Sequence, residues 1–186
     1  CSVLLAACSV RSGPPRPAVG DFLLYPAVWR FRRGLAVLEG ACGALAGTTQ
    51  ARLDRAASIH KPADAAKLGV RLEYVNTRGM ADPVAYLRGL TPAGKGFDDV
   101  FVLAPVASVV EQADAIMAFD GCMNFFAGPT DSKFSAKLNF YEIHYGMRHL
   151  VGTSGGNTED MREALRLMSA GKLNPAAMIT HVGGIN

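Results

Sequence analysis

The apolar positions of this chain change their period along its length, and each change marks an element. Leu35-Ala36-Val37-Leu38 is an unbroken apolar run, the pattern of a strand buried on both faces. It enters the small-residue stretch Gly40-Ala41-Cys42-Gly43-Ala44-Leu45-Ala46-Gly47, which reads as a glycine loop. A helix is predicted over Gln50–Ile59, with Leu53, Ala56 and Ala57 on one face and Thr49 as its cap. Pro62 opens a second short helix that Gly69 stops. Residues 70–75 alternate as a strand does, and Asp82-Pro83 supplies an N-cap with proline at the first helical position of a helix reaching Leu90. Residues 97–103 form the next apolar strand. Beyond Ala104-Pro105, Val106, Val109, Val110, Ala113 and Met117 make one helical stripe.

The alternation of strand and helix continues to the end. Cys122-Met123-Asn124-Phe125-Phe126 is a strand that stops at Ala127-Gly128-Pro129, and residues 138–144 and 149–151 read as extended runs around a turn at Gly146. Asn157-Thr158-Glu159-Asp160 is a helix start with its acidic residues at the positive end of the helix dipole. Met161, Ala164, Leu165 and Met168 follow at helical spacing, Gly171 closes the helix, and residues 176–182 are predicted as a last strand. Strands alternating with helices imply an α/β fold, a Rossmann-like parallel sheet with helices on both faces.

Residues 1–33 read as an irregular segment, with the breaker cluster Ser12-Gly13-Pro14-Pro15-Arg16-Pro17 and an aromatic and basic patch around Tyr25, Trp29, Phe31, Arg32 and Arg33. The domain proper is expected over 34–186. Leu5-Ala6-Ala7-Cys8 resembles a lipoprotein processing box, but no basic region precedes it and the apolar stretch before Cys8 is too short for a signal core. With Cys1 at its start, the chain reads as truncated. Hydrophobic residues at 49% supply a core, and a net charge of +3 spread over interspersed acids and bases gives no footprint for a nucleic acid or an anionic membrane. Cys1, Cys8, Cys42 and Cys122 have neither disulfide-framework nor zinc spacing, which fits a reducing, cytoplasmic setting. His144 and His149, five apart, fall on opposite faces of a continuous strand and make a poor metal pair.

Ligands of such a sheet bind at the carboxyl ends of its strands. Four predicted strand ends carry small residues that admit a flat or anionic ligand: residues 40–47, Ala104-Pro105-Val106, Ala127-Gly128-Pro129, and Gly152-Thr153-Ser154-Gly155-Gly156. Together on one edge they suggest a dinucleotide cleft. Lys133 and Lys137 flank a loop that an anionic substrate could meet, although a solvated lysine pair is the commoner arrangement. No Ser/His/acid set, nucleophile elbow or Walker loop is present, so catalytic residues are unassigned.

From residue 50 to 185 the chain resembles the cofactor domain of zinc-dependent medium-chain dehydrogenases/reductases, in the branch of sorbose 1-phosphate reductase and related sugar-phosphate or polyol dehydrogenases. The runs NFFAGPTD and VGTSGGNT carry the resemblance most specifically. It implies a Rossmann sheet binding NAD or NADP, a polyol or sugar phosphate as substrate, and zinc in the full-length family with ligands outside this chain. It also implies homo-oligomer contacts through the strand at 149–151. By position, Gly40 and Gly43 would belong to the cofactor's glycine loop. Ala104, Pro105, Val106, Ala127 and Gly128 would lie beside the nicotinamide half, with Thr153 and Ser154 near the same cleft. The chain departs from the family at its start. Cys42 and Leu45 stand where glycines should, and only Thr48 and Thr49 separate Gly47 from Gln50, so the first βαβ unit reads as incomplete. The expected function is therefore that of an oxidoreductase cofactor domain giving little or no turnover alone. The rival is a non-catalytic nucleotide-binding or dimerisation module.

Overall fold

In the computed structural model, which describes residues 5–9, 42–152, 154–179 and 181–184, six strands form one sheet. They are β1 (Leu5–Ser9), β2 (Cys42–Gly47), β3 (Arg71–Asn76), β4 (Phe97–Val102), β5 (Met117–Phe125) and β6 (His149–Gly152). The helices are α1 (Gln50–Ile59), α2 (Pro62–Lys67), α3 (Pro83–Gly89), α4 (Ala107–Ile116), α5 (Phe140–Tyr145) and α6 (Thr158–Ser169). The chain divides into two compact units, Cys1–Thr153 with the sheet and Ser154–Asn186 with α6.

The strand order is β3-β2-β1-β4-β5-β6. β2 and β3 are parallel, as are β4, β5 and β6. β1 is antiparallel to both of its neighbours, so the other five strands run one way and β1 alone runs against them. The expected Rossmann-like α/β sheet is thus present with five strands parallel and β1 reversed, and part of the segment read as irregular is its central strand. The registers define two rows across the sheet. Val75, Ala46, Leu5, Val102, Phe125 and Gly152 lie in line near the carboxyl ends of the five parallel strands. Leu72, Gly43, Cys8, Asp99, Cys122 and His149 lie in line three residues nearer the opposite, amino edge.

Most elements stand where periodicity put them. Leu53 is the buried residue of α1. Asp82 caps α3 by accepting from the Ala85 amide at 2.8 Å. Asn157 and Asp160 form a reciprocal capping box at the start of α6, and Gly171 follows that helix with φ 66°. The core gathers Leu87, Phe97, Val100, Val102, Ile116 and Met117, all fully buried, with Ala44, Ala46 and Val75 in the same cluster. α1 packs on β2 and β3, α2 on β3, and α4 on β4 and β5.

Four elements differ from expectation. Cys42–Gly47 is a strand rather than a glycine loop; Cys42, Ala44 and Ala46 are buried at alternate positions, a period of two that the small side chains obscure. Phe140–Tyr145 is a helix within the run read as extended, because the Asn139 side chain accepts from the Glu142 amide and starts a turn. Met117, placed on a helical stripe, is the first residue of β5, which follows α4 without a loop. In place of a last strand over 176–182 there is a short 3-10 turn at Pro175–Met178, capped by Asn174. The apolar run at 35–38, Gly40, the breaker cluster, the Trp29 patch and Thr153 lie outside the described residues.

Candidate functional site

The parallel strands bring their ends to one edge, and the two sides of β1 finish there differently. On the β4–β5 side, β4 ends at Val102 and Pro105, which has no amide to donate, follows beyond it. The Val106 amide then turns back to the Ala104 carbonyl at 2.9 Å, and Val106 caps α4. The next strand end is tied to this one: the amides of Phe126 and Ala127 both donate to the Val102 carbonyl at 3.0 Å. Ala104 and Ala127 are each buried just past their strand ends, while Pro105, Val106 and Gly128 are exposed. No atom lies within 4 Å of where a Cβ on Gly128 would be, so this wall is open. Between α4, β5, β6 and the 134–138 segment is an open apolar pocket of about 270 Å³, lined by Val110, Met123, Phe125, Phe134, Leu138 and Gly152 among others. Such a wall can hold a flat ring by contact. It offers no titratable side chain.

On the β2–β3 side the polar groups are spent on each other. The Thr77 amide donates to the Gly47 carbonyl at 2.8 Å, and Asn76 Nδ2 donates to Gln50 Oε1 at 2.9 Å. Gln50 Nε2 in turn donates to Asp54 Oδ1 at 2.8 Å, and the Arg78 amide donates to Asn76 Oδ1 at 3.0 Å. The end of β2 reads Gly47-Thr48-Thr49-Gln50 and carries no carboxylate. In β3, Tyr74 donates its hydroxyl to the His60 carbonyl at 2.7 Å, and burial pushes its pKa above the ordinary phenol value.

The structure brings Ala104, Pro105, Val106, Ala127 and Gly128 together. Gly43 lies elsewhere, inside β2 between Cys8 and Leu72 in the amino-edge row, about 10 Å from the carboxyl row. Ser154 is exposed at the start of the second unit, ahead of α6. Lys133 and Lys137 are exposed, and the Lys137 amide donates to Glu111 Oε1 at 3.1 Å. His144 lies in α5 against the Tyr145 ring, whereas His149 Nε2 is 2.8 Å from Asp120 Oδ1. Among the described residues no three His, Cys, Asp or Glu side chains are grouped as a metal site requires, so these residues do not supply a zinc centre.

Sequence reading missed the polar cluster that holds the 139–148 segment to the sheet. Arg148 pairs with Asp114 at 3.2 Å and with Glu142 at 3.1 Å, and it also donates to the carbonyls of Asp114 and Met117. Asp114 Oδ2 accepts from the Asn139 amide at 2.9 Å. The partners lie up to 34 residues apart, and the only local hint was an acid, Asp114, in an otherwise apolar helical stripe.

A family model described as zinc-binding dehydrogenase matches residues 42–170, from the start of β2 to the end of α6. Mannitol-1-phosphate 5-dehydrogenase of Aliivibrio fischeri is 54% identical over 134 residues, 72% of this chain and 31% of that protein. L-sorbose 1-phosphate reductase of Klebsiella pneumoniae is 54% identical over 93 residues, 50% of this chain and 23% of that protein. The chain thus spans under a third of the length of these curated relatives. Among solved structures, a Sinorhizobium meliloti protein described as a zinc-binding dehydrogenase and solved with NADP superposes with a TM-score of 0.55 at 20% identity. That superposition covers 74% of this chain and 36% of the other, and it establishes likeness of fold.

Proposed function

The chain belongs to the zinc-binding dehydrogenase family, and from that premise we propose that it is the cofactor-domain part of a nicotinamide-dependent oxidoreductase lineage. The parent reaction interconverts an alcohol and a carbonyl on a polyol or sugar phosphate, with NAD or NADP as hydride partner. Its substrate class is taken from the mannitol-1-phosphate and L-sorbose 1-phosphate named in its relatives. The observation that carries the reading is the coupled end of β4 and β5, where Ala104 and Ala127 are buried and Pro105, Val106 and Gly128 are exposed. A wall of small apolar groups at a carboxyl edge suits the flat face of a nicotinamide ring.

No member of this wall can move a proton, and the metal that polarises the substrate oxygen in such enzymes needs ligands other than the described residues. The chain on its own is therefore proposed to give little or no turnover. β6 pairs with β5 alone among the described residues, and its free edge suits a homo-oligomer contact. The buried thiols Cys42 and Cys122 fit a reducing cytoplasm. Among the described residues no helix is long and apolar enough to cross a membrane.

The test is a titration of the labelled chain with nicotinamide mononucleotide, followed by amide chemical shifts. The expected result is weak, saturable shifts centred on Ala104, Val106, Ala127 and Gly128. Shifts absent from these residues would refute the wall. Zinc-dependent oxidation of NADH or NADPH by the purified chain with a sugar phosphate would refute the claim of low turnover.

A further inference from the structure

The strand order β3-β2-β1-β4-β5-β6 is that of a doubly wound dinucleotide-binding sheet, which seats its ligand where the order reverses, over the first strand. In that arrangement the first strand runs parallel to the rest. It turns at the carboxyl edge through a glycine loop into a helix, whose amides hold the pyrophosphate. Here the central position is filled by a strand of opposite direction. β1 passes from Leu5, in the carboxyl row, to Ser9, which lies opposite Cys42 at the amino edge. β1 therefore ends at the amino edge, on the far side of the sheet from the cleft. Gly43, the described glycine of the expected loop, is fixed in the amino-edge row by its pairing with Cys8 and Leu72.

The neighbouring subsite is closed as well. An adenosine ribose is held by a carboxylate at the end of the second strand, but this end reads Gly47-Thr48-Thr49-Gln50. Gln50 and Asn76 bond to each other, and Thr77 bonds to Gly47. The acid beside this end, Asp54, already accepts from Gln50, so the polar groups here are engaged with one another. The described residues thus fit the nicotinamide half of a dinucleotide and not its adenosine and pyrophosphate half.

We infer that the reversed β1 has turned a dinucleotide cleft into a half-site that gives no seat to the ADP portion of NAD or NADP. Affinity for the dinucleotide then does not exceed affinity for nicotinamide mononucleotide, because the second half adds no contact. This holds whether or not the β4–β5 wall binds a nicotinamide, so the two claims fail separately.

Two measurements on the full chain test it. In the first, NADH, NADPH, nicotinamide mononucleotide and ADP-ribose are titrated separately, with the thermal melt followed in parallel. ADP-ribose should leave the melt unshifted, and NADH and NADPH should bind within about threefold of nicotinamide mononucleotide. Micromolar NADH or NADPH binding that ADP-ribose displaces would overturn the inference. In the second, cysteine crosslinking reads the strand direction in a background with Cys1 and Cys8 replaced by serine. Ser9→Cys should oxidise to a disulfide with the native Cys42, since the two positions are directly opposed. Leu5→Cys should not. A crosslink from position 5 to Cys42, or failure of position 9 to crosslink, would overturn the inference whatever the titration gives.

Discussion

The two sides of the sheet, β2–β3 and β4–β6, run in the same direction yet end differently. On the β4–β6 side the strand ends are joined backbone to backbone, with both amides of residues 126 and 127 on the Val102 carbonyl, so the side chains beyond them stay free to face a ligand. On the β2–β3 side the Thr77 amide and hydroxyl both donate to the Gly47 carbonyl and the Gln50 and Asn76 side chains bond each other, so the side chains at this edge are themselves engaged. Anchoring differs too. The β4–β6 side is fixed by an ion pair whose two side chains are each 7% exposed, Arg148 with Asp114. On the β2–β3 side the corresponding pair, Arg71 with Glu73, stands in water at 54% and 42% exposure. A strand edge stays available for binding when the fold secures it from behind, and it is lost when its own polar groups do the securing.

The largest expected effect breaks the anchoring contrast. Asp114→Ala leaves the Arg148 guanidinium buried without its buried carboxylate partner and should cost about 3–5 kcal/mol in urea unfolding. Glu73→Ala, in the exposed pair, should cost less than about 1 kcal/mol. Equal losses in the two variants would erase the distinction. Next comes Leu53→Ala, at the buried residue through which α1 meets the core. A loss of about 3 kcal/mol is expected, with faster amide exchange across α1 and β2 than across β4–β6. Uniform exchange over the whole sheet would show that the two sides open as one.

Gly128→Ala sharpens the comparison at the ligand wall. The added methyl meets no atom, so stability should stay within about 0.5 kcal/mol while nicotinamide mononucleotide binding weakens several-fold. Unchanged binding would move the ligand away from this edge. The smallest effect concerns pH. Burial raises the Tyr74 pKa above the ordinary phenol value, so the folded chain keeps the phenol proton to higher pH than the unfolded chain does. Its contribution is fully present below about pH 10 and is lost as the pH rises through the folded value. Tyr74→Phe should flatten this part of the stability–pH curve measured between about pH 9 and 11.

Legibility followed the same division. Elements whose pattern is local were readable: the capped starts at Asp82 and Asn157, the alternation of β3, the apolar run of β4 and the stripe of α4. The strand ends before Ala104–Val106 and Ala127–Gly128 were readable as well, because glycine, alanine and proline just past an apolar run mark a strand end. Where small residues hid a period of two, as in Cys42–Gly47, a strand passed for a loop. Where an apolar and polar alternation happened to precede a capping asparagine, as at Asn139, a helix passed for a strand. The buried Arg148 network was not legible at all, since each of its partners lies on a different element.

The sequence by itself determined the α/β class, the helix and strand faces, the family, and the small-residue edge, because side-chain periodicity and capping are properties of neighbouring residues. It left open the direction of β1 and the fate of the β2 and β3 ends. A strand alternates its faces identically in either direction, and a parallel and an antiparallel ladder both satisfy its backbone. Direction is set only when β1 lies between β2 and β4, entering at Leu5 on the carboxyl edge and leaving at Ser9 on the amino edge. That tertiary fact separates a dinucleotide fold by strand order from a complete dinucleotide site.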